Sequence, residues 1–396
     1  MRRRLISLAA TASLICSTAA VSAPAYAGTV TLKGNTQATM YGFVRSIYSW
    51  DTQMSNDPDH SNMPQDTTAS SSTSYRQTYN KTKADADAGW SRIGFAFKNK
   101  DANLSGKIEG DFAHSSNFRL RLAYVKHSFD NFYIILGQNW ILEEMHPSID
   151  PTAKVVAGFD EDLKRQPQIQ IGSKIDMGSA NVDVAFAFEY GAKKVVGEEV
   201  DRVTMPYPAA RAVLKFDTGF GSPARFYVWG NIIPIYITAE TLTDKSETSY
   251  AFGAGIKIPV SMVTMGANYN YTYGAVGFAG LTSLSPDSWY NVHGSAKATK
   301  SNAFNVNATI KPIPSVTVGA EYDWVEFQND NAFANNDKPK VDTYLGQVKI
   351  KATRYTTLIL EYRYIKAKYF NTIPKINVSD NDFSGDQVFA MCKYAF

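Results

Sequence analysis

The chain has almost no cysteine: Cys16 and Cys392 are the two in 396 residues. Cys16 falls in a stretch read below as a removable leader, and one remaining thiol excludes an intramolecular disulfide even in an oxidising compartment. Histidine is nearly as scarce. His60, His114, His127, His146 and His293 are scattered, and no pair has metal-ligand spacing on one element. A segment beginning Asp380-Asn381-Asp382 resembles the start of a calcium loop, but its twelfth position is Met391 where a bidentate glutamate is required. No metal and no cofactor are therefore expected. Beyond the leader no segment approaches the ~20 apolar residues of a membrane helix. A surplus of charge is missing too. Of 40 Lys+Arg and 37 Asp+Glu, three arginines lie in the leader, which leaves 37 of each, and net charge gives no reason to expect nucleic acid. A hydrolase site is equally thin. His114 is followed by Ser115 and Ser116, but adjacent residues on an extended chain point apart.

What is present begins with an export signal. Arg2, Arg3 and Arg4 precede an apolar stretch over residues 5–20, and Ala25-Tyr26-Ala27 gives a small-x-small cleavage site. Residues 1–27 are thus expected to be removed, leaving 28–396 as one domain. Aromatic residues make up 13%, with 23 tyrosines. The remainder alternates. In Ser91-Arg92-Ile93-Gly94-Phe95-Ala96-Phe97 and in Lys107-Ile108-Glu109-Gly110-Asp111-Phe112, apolar residues or glycines take every second place. Successive side chains of a strand point to opposite faces, so such runs have one apolar and one polar face.

Sixteen runs of this kind are expected, near 37–50, 90–98, 104–112, 118–127, 131–140, 167–175, 180–190, 207–216, 224–233, 249–258, 262–273, 302–311, 315–327, 341–352, 356–368 and 386–396. Short connections rich in Gly, Pro, Asn or Asp alternate with longer polar ones, the largest at 51–89 and 274–301. Apolar rows such as Val182, Val184, Phe186 and Phe188 end on tyrosine or tryptophan, as lipid-facing strands with an interfacial aromatic girdle do. The expected fold is all-β: a transmembrane antiparallel β-barrel of 16 strands with short periplasmic turns and long extracellular loops. A periplasmic or secreted β protein is the competing class. The last strand alternates Val388, Ala390, Cys392, Tyr394 and Phe396. Tyr394 and the terminal Phe396 resemble the signal read by the outer-membrane assembly machinery, a partner expected together with outer-membrane lipid and lipopolysaccharide.

Ser91-Arg92-Ile93-Gly94-Phe95, Lys107-Ile108-Glu109-Gly110-Asp111-Phe112, Gly137-Gln138-Asn139-Trp140 and Arg165-Gln166-Pro167-Gln168-Ile169 resemble the DcaP-type porins of Gram-negative bacteria. The resemblance is specific from about residue 90 to 172 and architectural beyond. It implies a homotrimeric outer-membrane channel for dicarboxylates and similar small anions, with the loop at about 141–166 folded into the barrel as a constriction. The stretch 28–35 is too short for the N-terminal coiled coil that such porins often carry.

A channel performs no bond chemistry; its selectivity comes from charge along the lumen. Residues of opposite parity to the lipid rows are the candidates. Arg45, Arg92, Arg119, Arg121 and Arg211 form an expected basic ladder, with Arg165 where the constriction loop returns to the wall. Glu109, Asp111, Glu321 and Asp323 are the pore-lining acids. Arg92 and Arg121 flank the strand of Glu109 and Asp111, which reads either as a constriction ladder or as cross-strand salt bridges. In the loop, Glu143, Glu144, Asp160, Glu161 and Asp162 would face the arginines and set up a transverse field. Passive diffusion of small polar, preferably anionic, solutes is the expected function. A structural or adhesive barrel is the alternative, and a barrel enzyme stands behind both.

Overall fold

A computed structural model describes residues 29–32, 35–52, 83–112, 118–142, 149, 165–190, 206–239, 242–274, 289–292, 295–329, 338–368 and 382–396. In chain order the strands are β1 (Thr29–Leu32), β2 (Thr36–Thr52), β3 (Lys83–Asp87), β4 (Arg92–Asn99), β5 (Leu104–Asp111), β6 (Arg119–Phe129), β7 (Phe132–Trp140), β8 (Arg165–Asp176), β9 (Ala180–Glu189) and β10 (Tyr207–Phe216). They continue as β11 (Ala224–Ala239), β12 (Leu242–Val260), β13 (Val263–Tyr273), β14 (Trp289–Val292), β15 (Ser295–Ala298), β16 (Lys300–Ile313), β17 (Val316–Gln328), β18 (Lys340–Lys351), β19 (Thr356–Lys368) and β20 (Asp382–Ala395).

Each wall strand pairs antiparallel with its sequence neighbour, and β2 pairs with both β4 and β20. The result is a closed antiparallel barrel of 16 strands: β2, β4 to β13 and β16 to β20. All sixteen coincide with the alternating runs of the sequence. Closure leaves no unpaired edge, which is what a sheet in hydrocarbon requires. At the seam, Gly42 and Phe396 exchange backbone hydrogen bonds of 3.2 and 3.0 Å. The Phe396 ring lies against Gly42, where a Cβ would collide with it.

The structure adds strands that the alternation did not announce. β1 doubles back on the start of β2, β14 and β15 form a separate hairpin, and β3, inside the long 51–89 connection, pairs with the upper part of β2. The tight turns carry left-handed residues at Asn103, Asp130 and Ser261, short polar side chains that tolerate this conformation.

The two faces separate as parity demands. Val184, Phe186 and Phe188 of β9 are exposed on the outside, while Ala185, Ala187 and Glu189 are buried inside. The same division holds for Phe304, Val306 and Ile310 against Ala303, Asn305 and Asn307 on β16. It is not a clean division of polarity. Toward the long-loop side the inward rows of β17 to β20 turn apolar, with Val325, Phe327, Val341, Ile365 and Phe389 buried. Ile47, Ile359, Phe389 and Met391 form one inward cluster.

Candidate functional site

The inner face of β2 and β4 to β6 gathers the charged residues. Register sets Arg92 opposite Asp111 and Gly94 opposite Glu109 across β4 and β5. Between β5 and β6 the register slips at Glu109/Gly110, so Glu109 faces Leu122 while Gly110 faces Leu120. Arg121 is the extra residue of this β-bulge. A bulge re-aims side chains, and here Arg119, Arg121 and Leu122 all leave the outer face, on which Leu120 stays exposed. Gln138 caps the bulge by donating Nε2–H to the carbonyls of Leu120 and Arg121, both at 2.9 Å. Beyond the bulge parity is inverted. Tyr124 and Lys126, not Ala123 and Val125, share the inner face with Lys107 and Tyr133.

Asp111 accepts a two-point pair from Arg119, Nε to Oδ1 and Nη2 to Oδ2 at 2.9 Å each, and a third bond from Arg121 Nη1 at 2.6 Å. Glu109 takes Arg121 Nε at 3.3 Å, Arg92 Nη1 at 3.4 Å and the Tyr41 hydroxyl at 3.0 Å. The fixed fork of donors on arginine makes such two-point pairing possible. Ladder and salt-bridge set are thus one structure, but its members are not equivalent. Arg121 is 1% exposed, whereas Arg92 and Arg119 keep 23% and 29%.

Aromatic rings separate the remaining cations. Trp90 lies 5.2 Å from Arg45 and 5.7 Å from Arg119; Phe43 lies 5.1 Å from Arg92 and 4.1 Å from Lys393; Tyr41 lies 5.4 Å from Lys107. Tyr41, Phe43 and Arg45 share the inner face of β2 with Ile47 and Ser49. Ring faces attract cations without neutralising them. Six cations (Arg45, Arg92, Lys107, Arg119, Arg121 and Lys393) thus line this part of the inner face, and Arg92, Arg119 and Arg121 pair with Glu109 and Asp111.

Two expected ladder members sit elsewhere. Arg211 is inward on β10 but apart from the cluster, 3.6 Å from Asp183. Arg165 opens β8, opposite Trp140. Gln166, Gln168 and Gln170 are the buried inward row of β8, so Arg165 alternates out of that row, with its guanidinium on Trp140 at 4.8 Å. Trp140 is also 5.6 Å from Arg121, which ties Arg165 to the edge of the cluster.

Glu321 and Asp323 are inward and buried on β17, in different company. Beside them the inner rows of β13 and β16 carry amides and hydroxyls: Asn268, Asn270, Thr272, Ser301, Asn305 and Asn307. Asn268 Nδ2 donates to Asn305 Oδ1 at 2.9 Å, Asn305 Nδ2 to Asp323 Oδ1 at 2.5 Å, and Asn307 also donates to Asn305. Thr272 and Ser301 share a bond of 2.6 Å. Inward Gly253 and Gly255 leave room where a Cβ would strike Trp229 and Asn270, or Tyr227 and Asn268. This amide wall was missed because only charges were counted, yet Gly266-x-Asn268-x-Asn270-x-Thr272 is visible in the sequence.

Glu143, Glu144, Asp160, Glu161 and Asp162 lie outside the described residues. The ends of their segment are informative. Leu142 packs with inward Ala185, Ala187 and Ala209, and its N–H donates to Glu189 Oε1 at 2.6 Å. Ile149 is 2% exposed and lies where a Cβ on inward Gly319 of β17 would be. Residues 142 and 149 therefore touch the inner wall on β9–β10 and on β17.

No family model and no curated protein matches the sequence. Among solved structures the chain is similar to the outer membrane channel DcaP of Acinetobacter baumannii, with 20% identity, TM-score 0.68, and 94% of this chain and 100% of that one covered. It is similar to OmpT, an outer membrane protein of Vibrio cholerae, with 12% identity, TM-score 0.58, and 93% and 100% covered. It is also similar to an anion-selective porin from Comamonas acidovorans, with 14% identity, TM-score 0.57, and 91% and 100% covered. At these identities the likeness is one of fold: the chain has the barrel architecture of outer-membrane porins.

Proposed function

We propose that this chain is an outer-membrane porin, a passive diffusion channel for small polar solutes that prefers anions such as dicarboxylates. The observation that carries the reading is the inner-wall cluster in which Arg92, Arg119 and Arg121 pair with Glu109 and Asp111 while Arg45, Lys107 and Lys393 lie over the rings of Trp90, Tyr41 and Phe43. Low-dielectric walls keep field lines inside a lumen and raise the local concentration of counter-ions. The likeness to the DcaP channel and to an anion-selective porin supports the same reading.

In this reading residues 1–27 are an export leader, 28–396 form the barrel, and the segment at about 141–166 is a constriction whose acids Glu143, Glu144, Asp160, Glu161 and Asp162 oppose the arginines. The assembled form is a homotrimer in the outer membrane, delivered by assembly machinery that reads Tyr394 and Phe396, and surrounded by lipid and lipopolysaccharide. The barrel reconstituted in planar bilayers should conduct, and its reversal potential in a salt gradient should lie on the anion side. Absence of conductance from a heat-modifiable, inserted barrel overturns the channel; a cation-side potential overturns the preference.

A further inference from the structure

Toward the short turns, the inner face of β10, β11 and β12 sets three cations side by side. Register puts Lys215 opposite Arg225, and Arg225 opposite Lys257. All three point inward, because they share parity with buried Val213, Tyr227 and Ala251 on their own strands. The row ends on neutral residues: Asn181 of β9 faces Lys215, and Gly266 of β13 faces Lys257. Beyond Gly266 the same register passes Asn307 before it meets a carboxylate, Glu321 on β17. Like charges directly opposite in a sheet repel. A wall that keeps three in line gives up stability, and such departures from a local rule belong at functional sites.

The nearby acids are engaged elsewhere. Asp183 has Arg211 Nη2 at 3.6 Å, accepts the Tyr133 hydroxyl at 2.9 Å and has Lys174 directly opposite. At the rim, Asp176 and Asp217 accept the N–H groups of Gly178 and Gly219, each at 2.9 Å, and so shape their own turns. In the short-turn half of β8 to β12, Lys174, Arg211, Lys215, Arg225 and Lys257 thus outnumber Asp176, Asp183 and Asp217. Lys174, Asp183, Lys215 and Asp217 line a cavity of about 490 Å³ between the 176–180 and 217–223 turns, which opens this end of the row to the short-turn mouth. The row is also remote from the arginine cluster. Lys215, Arg225 and Lys257 lie one to three positions from the short-turn ends of their strands, whereas Arg92 and Arg121 lie seven and eight from theirs. About six positions at ~3.3 Å, tilted by about 40°, make roughly 15 Å of height, near two screening lengths at physiological salt.

We propose that Lys215, Arg225 and Lys257 form a second anion site at the short-turn mouth, for a linear multivalent anion whose negative groups engage three adjacent strands at once, the chemistry of a tripolyphosphate chain. Neighbouring strands are ~4.8 Å apart, so the long lysine and arginine stems converge on such a chain. A short dicarboxylate has charge for two of the three cations, and orthophosphate is too compact to reach along the row. The proposal rests on the reading of this chain as an anion-conducting channel, and adds a ligand class that the arginine cluster does not call for.

The test is calorimetric titration of the intact barrel, in non-ionic detergent, with sodium tripolyphosphate; orthophosphate and succinate are the other probes. The triple substitution Lys215→Gln, Arg225→Gln, Lys257→Gln should weaken tripolyphosphate by about tenfold or more. Arg225→Gln alone, which removes only the middle cation, should weaken it several-fold and serves if the triple variant fails to assemble. Arg92→Gln with Arg119→Gln should leave that affinity within about twofold, as expected of a distant site. Unchanged affinity in the triple variant, or in Arg225→Gln where only that variant assembles, overturns the proposal. A loss confined to the Arg92 and Arg119 variant assigns the anion to the upper cluster and overturns it too, as does orthophosphate binding as tightly as tripolyphosphate. A wild-type chain that neither conducts nor shows heat-modifiability refutes the channel reading, whereas a conducting barrel whose tripolyphosphate affinity ignores Lys215, Arg225 and Lys257 refutes only this inference.

Discussion

The two halves of the inner wall solve the same problem differently. On β2 and β4 to β6, charged groups lie against low-dielectric protein, and each is paired, stacked on a ring or both. On β11 to β17, neutral amides and hydroxyls bond sideways to one another over glycines. A buried charge without a partner is far more costly than a buried amide without one. The charged half should therefore be brittle and selective, and the amide half tolerant and indifferent to the sign of a solute's charge.

Removing one carboxylate should expose the contrast most. Asp111→Ala removes the two-point partner of Arg119 and takes from Arg121, buried at 1%, its bond of 2.6 Å. A cost of about 3–5 kcal/mol is expected for breaking a buried pair. Thr272→Ala on the amide wall removes the hydroxyl pair with Ser301, which involves no charge, at about 1–3 kcal/mol. The temperature at which the folded band is lost in detergent electrophoresis should fall much further for the first. Equal losses would show that the charged half is not specially dependent on pairing.

Selectivity should divide the other way among the arginines. Arg92 and Arg119 retain exposure that Arg121 lacks, so under the proposed function they are the ones expected to set the field that a solute meets. Arg92→Gln with Arg119→Gln should move the reversal potential toward cations and slow succinate flux several-fold more than flux of a neutral pentose. Asn268→Ala should leave the ratio of the two fluxes as it was. If Arg121→Gln alone reproduces the shift, exposure is the wrong criterion.

The barrel was legible because lipid demands strict alternation, and its outward rows are too regular for anything else. The positions that alternation misplaces are those where the period breaks. The bulge at Arg121 inverts parity, so Tyr124 and Lys126 were missed. Gly137, at φ 117°, packs against the backbone of Ala123 and Tyr124 just past the bulge. Parity does not place Arg165 inward, since Gln166, Gln168 and Gln170 are the inward row of β8. Apolar inward residues such as Phe389 and Ile365 were invisible, because alternation cannot tell which face of a strand is wet once both are apolar.

A smaller effect concerns Leu142 and Ile149, which touch the inner wall on β9–β10 and on β17. Ile149 needs the missing Cβ at Gly319, and Leu142 needs the Glu189 carboxylate. Gly319→Val should displace Ile149 from the β17 wall by overlap and change single-channel conductance by tens of per cent, with heat-modifiability retained. Glu189→Ala should do the same from the opposite end, because the Leu142 N–H then loses its acceptor. Unchanged conductance in both variants would mean that the segment does not narrow the path.

The smallest expected change is at Gln138, which touches neither solute nor carboxylate. Its Nε2 satisfies two carbonyls that the bulge leaves outside the regular ladder. Gln138→Leu keeps the bulk and removes both bonds, at about 1–2 kcal/mol. Because the bulge sets the direction of Arg121, its loosening should appear as a lower unfolding temperature, in the same direction as Asp111→Ala but smaller. The reversal potential should not move, since Arg92 and Arg119 are anchored through Glu109, Asp111, Phe43 and Trp90. Combining Gln138→Leu with Asp111→Ala should cost less than the sum of the two, because the second change already frees Arg121 on one side. Full additivity would mean that the bulge and the salt-bridge set are independent, and that Gln138 supports the strand and not the charge.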